Sequence, residues 1–66
     1  MKEKFILIKP YECQYGTLPI NTEIIYFNNQ FYVNGGPIPL SYNDIFYSLI
    51  HNSNYVIKQN IIPNKV

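Results

Sequence analysis

Apolar positions fall in short runs broken by Pro, Gly and Asn. Lys4-Phe5-Ile6-Leu7-Ile8-Lys9 is apolar at both parities, which predicts a strand with cover on both faces, ended by Pro10. Pro10 to Asn21 reads as a connection, bent at Gly16-Thr17-Leu18-Pro19, with Leu18 and Ile20 packing inward. Thr22 to Val33 reads as a hairpin around Asn28-Asn29, because Asn tolerates the positive φ of a two-residue turn. That register pairs Phe27 with Gln30, Tyr26 with Phe31, Ile25 with Tyr32 and Ile24 with Val33. One face then carries Ile24, Tyr26, Phe31 and Val33, and the other Ile25, Phe27 and Tyr32 with Glu23 and Gln30 at its ends.

Asn34-Gly35-Gly36-Pro37 predicts a turn, and Pro37-Ile38-Pro39-Leu40 an extended segment, since each Pro biases its predecessor away from the α region. A helix begins at Ser41, where Ser41 and Asp44 have the spacing of a capping box. Tyr42, Ile45, Phe46, Leu49 and Ile50 form its apolar stripe; Asn43, Asp44, Ser48 and His51 lie opposite, with Tyr47 on the flank. Asn52 to Asn54 stops the helix, and Tyr55 to Lys58 is a last strand that can continue through Ile61 and Ile62.

These elements predict an α+β fold of order β-β-β-α-β: a small curled antiparallel sheet with one packed helix. Residues 1–66 read as one domain, with 62–66 as an extended tail. One helix of about three turns covers one face of such a sheet. The hairpin and the first strand are apolar on both faces, so there is more apolar surface than one helix can bury. Curling into a barrel, the 10–21 connection or another chain must cover the second face; a large apolar patch usually marks an interaction site. One contact face is therefore expected to be drawn from the sheet surfaces that carry Ile25, Tyr26, Phe27, Phe31 and Tyr32, with Tyr11 and Tyr15 as candidates in the connection. Phe5–Ile8 and Ile24–Phe27 would also promote aggregation on an exposed edge, a second reason to expect a protein partner, either a larger assembly or further copies of the chain.

Composition changes this picture only in part. Ile, Asn, Tyr, Lys and Phe make up 36 of the 66 residues, with no Ala, Arg or Trp. β-branched and aromatic residues favour strands, and residues with AT-rich codons dominate. Five Lys face four acids with no basic cluster, which argues against a nucleic-acid partner, since such binding relies on many phosphate contacts. Cys13 is the only cysteine, so no disulfide framework is expected. The longest apolar run, Phe5 to Ile8, is far shorter than the ~20 residues that span a bilayer, and neither a signal peptide nor a transmembrane segment is expected.

Candidate chemistry is sparse. His51 has no companion ligands at metal-site spacing and reads as a solvated helix residue. Cys13 lacks the His or CxxC partner that lowers a thiol pKa, and Glu3, Glu12, Glu23 and Asp44 are dispersed along the chain. Asn34-Gly35-Gly36 lacks the Lys and Ser/Thr of a phosphate-binding loop. No catalytic residue, cofactor, metal or small-molecule substrate is expected.

The succession of a short strand, Gly16-Thr17-Leu18-Pro19, Thr22-Glu23-Ile24, Phe31-Tyr32-Val33-Asn34-Gly35-Gly36, a capped helix and Ile61-Ile62-Pro63-Asn64-Lys65-Val66 resembles small proteins encoded by tailed bacteriophages. The resemblance spans most of the chain but rests on turns and strand patterns, and it transfers no functional residues. It implies a minor virion component, such as a capsid auxiliary or decoration protein, assembled in the host cytoplasm. Two further readings remain: a small phage regulator that inhibits one host protein, and a single-stranded nucleic-acid binder using its tyrosines.

Overall fold

The computed structural model describes residues 2–59, so the expected tail and the continuation through Ile61 and Ile62 lie outside the described residues. The described chain forms β1 (Glu3–Leu7), β2 (Tyr11–Cys13), β3 (Gly16–Leu18), β4 (Glu23–Phe27), β5 (Gln30–Val33), β6 (Gly36–Pro37), a 3-10 turn (Leu40–Tyr42), α1 (Asn43–Ile50) and β7 (Val56–Gln59). Five strands make an open antiparallel sheet in the order β6-β5-β4-β1-β7, and β2 and β3 pair as a separate hairpin. The fold is α+β with one helix, as the pattern predicts.

Local sequence sets the register. Asn28 and Asn29 both take positive φ (53° and 60°), which makes the turn a two-residue one whose twist matches the strands. The β4–β5 pairing follows as expected: Ile24–Val33, Ile25–Tyr32, Tyr26–Phe31 and Phe27–Gln30. Asn34 and Gly35, at φ 51° and 89°, repeat the device between β5 and β6. Asn34 also ties the ladder shut: its N–H donates to the Glu23 carbonyl at 2.9 Å, and its Oδ1 accepts from the Glu23 N–H at 3.1 Å.

The core lies between the sheet and α1. Phe5 and Leu7 of β1, Ile24 of β4, Phe31 of β5 and Val56 of β7 are buried against Phe46, Leu49 and Ile50 of the helix. Tyr42 and Ile45 complete the predicted stripe as half-buried neighbours of that core. An aromatic chain runs through it, with ring centroids 4.6 Å apart for Tyr26–Phe31, 5.8 Å for Phe31–Phe46 and 5.5 Å for Phe46–Tyr15. Gln30 fastens the segment before the helix by donating to the Ile38 carbonyl at 2.8 Å, and Asn43 donates to the Asn29 carbonyl at 3.3 Å.

Three expectations need correction. Residues 11–18 form a hairpin rather than an irregular connection. Leu18 packs inward as expected, but Ile20 is 53% exposed. Thr22 N–H bonds the Pro19 carbonyl, and Asn21 has φ 73°, so Ile20 sits at the outer corner of a type II turn. Finally, Ser41 caps nothing: it lies inside the 3-10 turn, Tyr42 stands at the helix N-cap, and no side chain bonds the first helical N–H groups.

Candidate functional site

Directly paired residues of an antiparallel sheet project to the same face, so the pairing places each side chain. Opposite the helix, one row runs Pro37, Tyr32, Ile25, Lys4 and Gln59 across the five strands. The next row on that face runs Glu23, Ile6 and Ile57. Phe27 stands beside Ile25 on β4, two residues along. None of these residues is fully buried: Ile6, Ile25, Phe27 and Tyr32 are half-buried and Ile57 is 50% exposed.

Among the described residues, no second layer covers this face. The sheet stays open instead of closing into a barrel. The β2–β3 hairpin leans the other way: Tyr15 stacks edge-on against Tyr42 and Phe46 on the helix side, and Tyr11 against Tyr55 at 5.3 Å. Ile25, Phe27 and Tyr32, with Lys2 and Gly35, line a shallow depression of about 300 Å³. Lys4 and Glu23 form an ion pair at 2.6 Å beside it, each about one-third exposed. Lys2 has no carboxylate partner among the described residues.

The seven residues expected to supply the contact surface are therefore divided. Ile25, Phe27 and Tyr32 come together on the open face. Phe31 is buried in the core, and Tyr26 packs half-buried on that side, its hydroxyl donating to Asn29 Oδ1 at 3.1 Å. Tyr11 and Tyr15 belong to the hairpin over the helix side, where Tyr15 stays 37% exposed. Lys2, Ile6 and Ile57 join the open face and were not among the seven. Ile6 and Ile57 could have been found by following the period-two alternation of β1 and β7 as far as in the hairpin.

Polar side chains elsewhere serve the fold. Cys13 Sγ donates to the Gly16 carbonyl at 3.6 Å across the β2–β3 turn. His51 Nδ1 donates to the Tyr47 carbonyl at 2.8 Å, and its ring packs on Tyr47. Among the described residues no group of three His, Cys, Asp or Glu is placed to hold a metal ion, and no helix is long and apolar enough to cross a membrane. No family model, curated protein or solved structure matches this chain.

Proposed function

We propose that this chain is a non-enzymatic structural protein that docks the open face of its sheet on a protein partner, as a minor component of a phage particle. One observation carries the docking reading: the five-stranded sheet has a helix on one side only, and its other side presents Ile25, Phe27, Tyr32, Ile6 and Ile57. Apolar area of that kind is stabilised by leaving water, at about 25 cal/mol per Å², and the isolated described domain leaves part of it wet, most of all at Ile57. A protein partner is favoured over nucleic acid because Lys4 is paired with Glu23 and Lys58 with Glu3, which leaves little unbalanced positive charge. The particle is inferred from the resemblance to tailed-phage proteins.

The test is native size in the source lysate, by gradient sedimentation with mass-spectrometric detection. The reading expects the chain to travel with a very large particle at a fixed ratio to a major protein. Ile25→Asp or Tyr32→Asp is expected to remove it from the particle while helix content, read by circular dichroism, stays unchanged. Migration as a small one-to-one complex with a host protein would overturn the particle and make the chain an inhibitor of that host protein.

A further inference from the structure

The side of the molecule opposite the open face carries a second exposed patch. Phe46, Leu49 and Ile50 turn α1 inward, so its outer side holds Asp44 and Tyr47, with His51 at the C-cap four residues after Tyr47; Leu40 lies ahead of α1 in the 3-10 turn. Leu40 is 66% and Tyr47 53% exposed, high values for large apolar side chains. Tyr47 is also held in place: its ring packs on that of His51, with centroids 4.6 Å apart, and His51 is hydrogen-bonded back to the Tyr47 carbonyl. The outer side is thus a convex ridge with a fixed aromatic and one carboxylate. Asp44 has no ion-pair partner among the described residues.

The open face is its complement. It is concave where the ridge is convex, its depression of about 300 Å³ has room for an aromatic ring, and its rim carries Lys2. An apolar helix ridge in an apolar groove is a common recognition mode, and a cation against an anion at the rim sets its orientation. We infer that the occupant of the open sheet face is a second copy of this chain, docked head to tail, with Tyr47 seated against Ile25, Phe27 and Tyr32, and Asp44 beside Lys2. This rests on reading the open face as a protein-docking surface. A face-to-face dimer would set two depressions and two Lys2 side chains together and leave both ridges in water. The outer edge of β7 offers less, because its Val56 N–H is already donated to the Asn52 carbonyl at 3.1 Å. Head-to-tail contacts repeat, so copies joined this way form a ring or a filament.

Purified full-length chain tests this by analytical ultracentrifugation across a concentration series. Wild type is expected to form oligomers larger than a dimer. Ile25→Asp, which blocks the groove, and Tyr47→Asp, which blocks the ridge, are each expected to weaken association by roughly a hundredfold, the effect of burying an uncompensated carboxylate. Mixed one to one, the two variants are expected to form a dimer and nothing larger, since the mixture has one intact groove facing one intact ridge. Lys2→Glu and Asp44→Lys, which spare the apolar core of the contact, are each expected to weaken association about threefold and to restore it when mixed. Wild-type association by Tyr47→Asp, or a mixture that stays monomeric, would overturn head-to-tail docking. Loss of Ile25→Asp from particles together with a monomeric wild-type chain would overturn this inference alone and leave the docking function standing. Retention of Ile25→Asp in particles would overturn the docking function itself.

Discussion

The two faces of the five-stranded sheet are built from alternate residues of the same strands, yet they serve different ends. On β5, Phe31 is buried between Tyr26 and Phe46, while its neighbour Tyr32 points the other way into a shallow, open depression. On β1, Phe5 and Leu7 are core residues, and Ile6 between them stays only half-buried beside Ile57. The two sets are close in hydrophobicity, so residue type alone does not separate core from surface. The difference comes from what lies above each face: α1 and the β2–β3 hairpin on one, no other described element on the other. Two apolar faces on a sheet with one covering layer make stability the work of one face and contact the work of the other.

The sharpest way to break this comparison is to truncate neighbours on one strand. Phe31→Ala removes the centre of the aromatic chain and is expected to cost about 3–5 kcal/mol. A domain this small has stability near the low end of the usual ~5–15 kcal/mol, so the variant should keep at most about 2 kcal/mol and unfold at a much lower urea concentration by circular dichroism. Tyr32→Ala, one residue on, should lose at most about 1 kcal/mol and keep a cooperative urea transition. Equal losses at the two positions would remove the distinction between the faces.

The turns hold both faces at once, and Asn34 shows it. Asn34→Ala puts at φ 51° a residue that tolerates the left-handed region less well than Asn, and removes the oxygen that accepts the Glu23 N–H. The two effects together are expected to cost about 2 kcal/mol, read as a lower urea midpoint. Asn34→Asp keeps the acceptor and tolerates the conformation, so it should recover most of that loss.

How much of this was legible follows from where the information is local. The hairpin register is local: two Asn between two apolar runs leave one pairing that puts Ile24, Tyr26, Phe31 and Val33 together. The helix stripe is local for the same reason, since its period is written in eight consecutive residues. The β2–β3 hairpin is not. Its strands have three residues each, so the alternation of Tyr11 and Cys13 with Glu12 is too short to stand out, and its turn residues Gln14 and Tyr15 lack turn chemistry; Gly16 follows them at φ 143°. Its place comes from Tyr15 on Phe46 and Leu18 in the core, contacts with elements far along the chain. Among the site residues, pattern alone identified a surplus of apolar surface but not which half of it the helix would take. Tyr26 and Phe31 went to the core because α1 packs on their face, a tertiary choice that alternation leaves open.

A smaller effect separates the buried and exposed threonines. Thr22 is buried on the core side, and its hydroxyl donates to the Pro19 carbonyl at 2.6 Å. Thr22→Val keeps the shape and leaves that carbonyl with one partner fewer, an expected loss of about 1 kcal/mol in urea denaturation. Thr17, exposed on β3, should accept Val within about 0.5 kcal/mol. A Thr22 loss no larger than that at Thr17 would mean that the type II turn does not depend on the hydroxyl.

The smallest expected change in stability tests what keeps the open face open. Lys4 and Glu23 bridge at 2.6 Å beside Ile25 and Ile6, among mostly apolar neighbours. Each is about one-third exposed, so solvent screens the pair and it contributes a few tenths of a kcal/mol. Its larger effect is on solubility, since charges set into an apolar sheet surface oppose indiscriminate stacking. Replacing both at once, Lys4→Leu with Glu23→Leu, should leave the urea midpoint within about 0.5 kcal/mol of wild type, because neither charge is left without its partner. Light scattering should rise steeply with protein concentration in the same variant. If the urea midpoint instead fell by several kcal/mol, the ion pair would be part of what holds the sheet together. The open face would then carry stability as the helix face does, and the division between the two would fail.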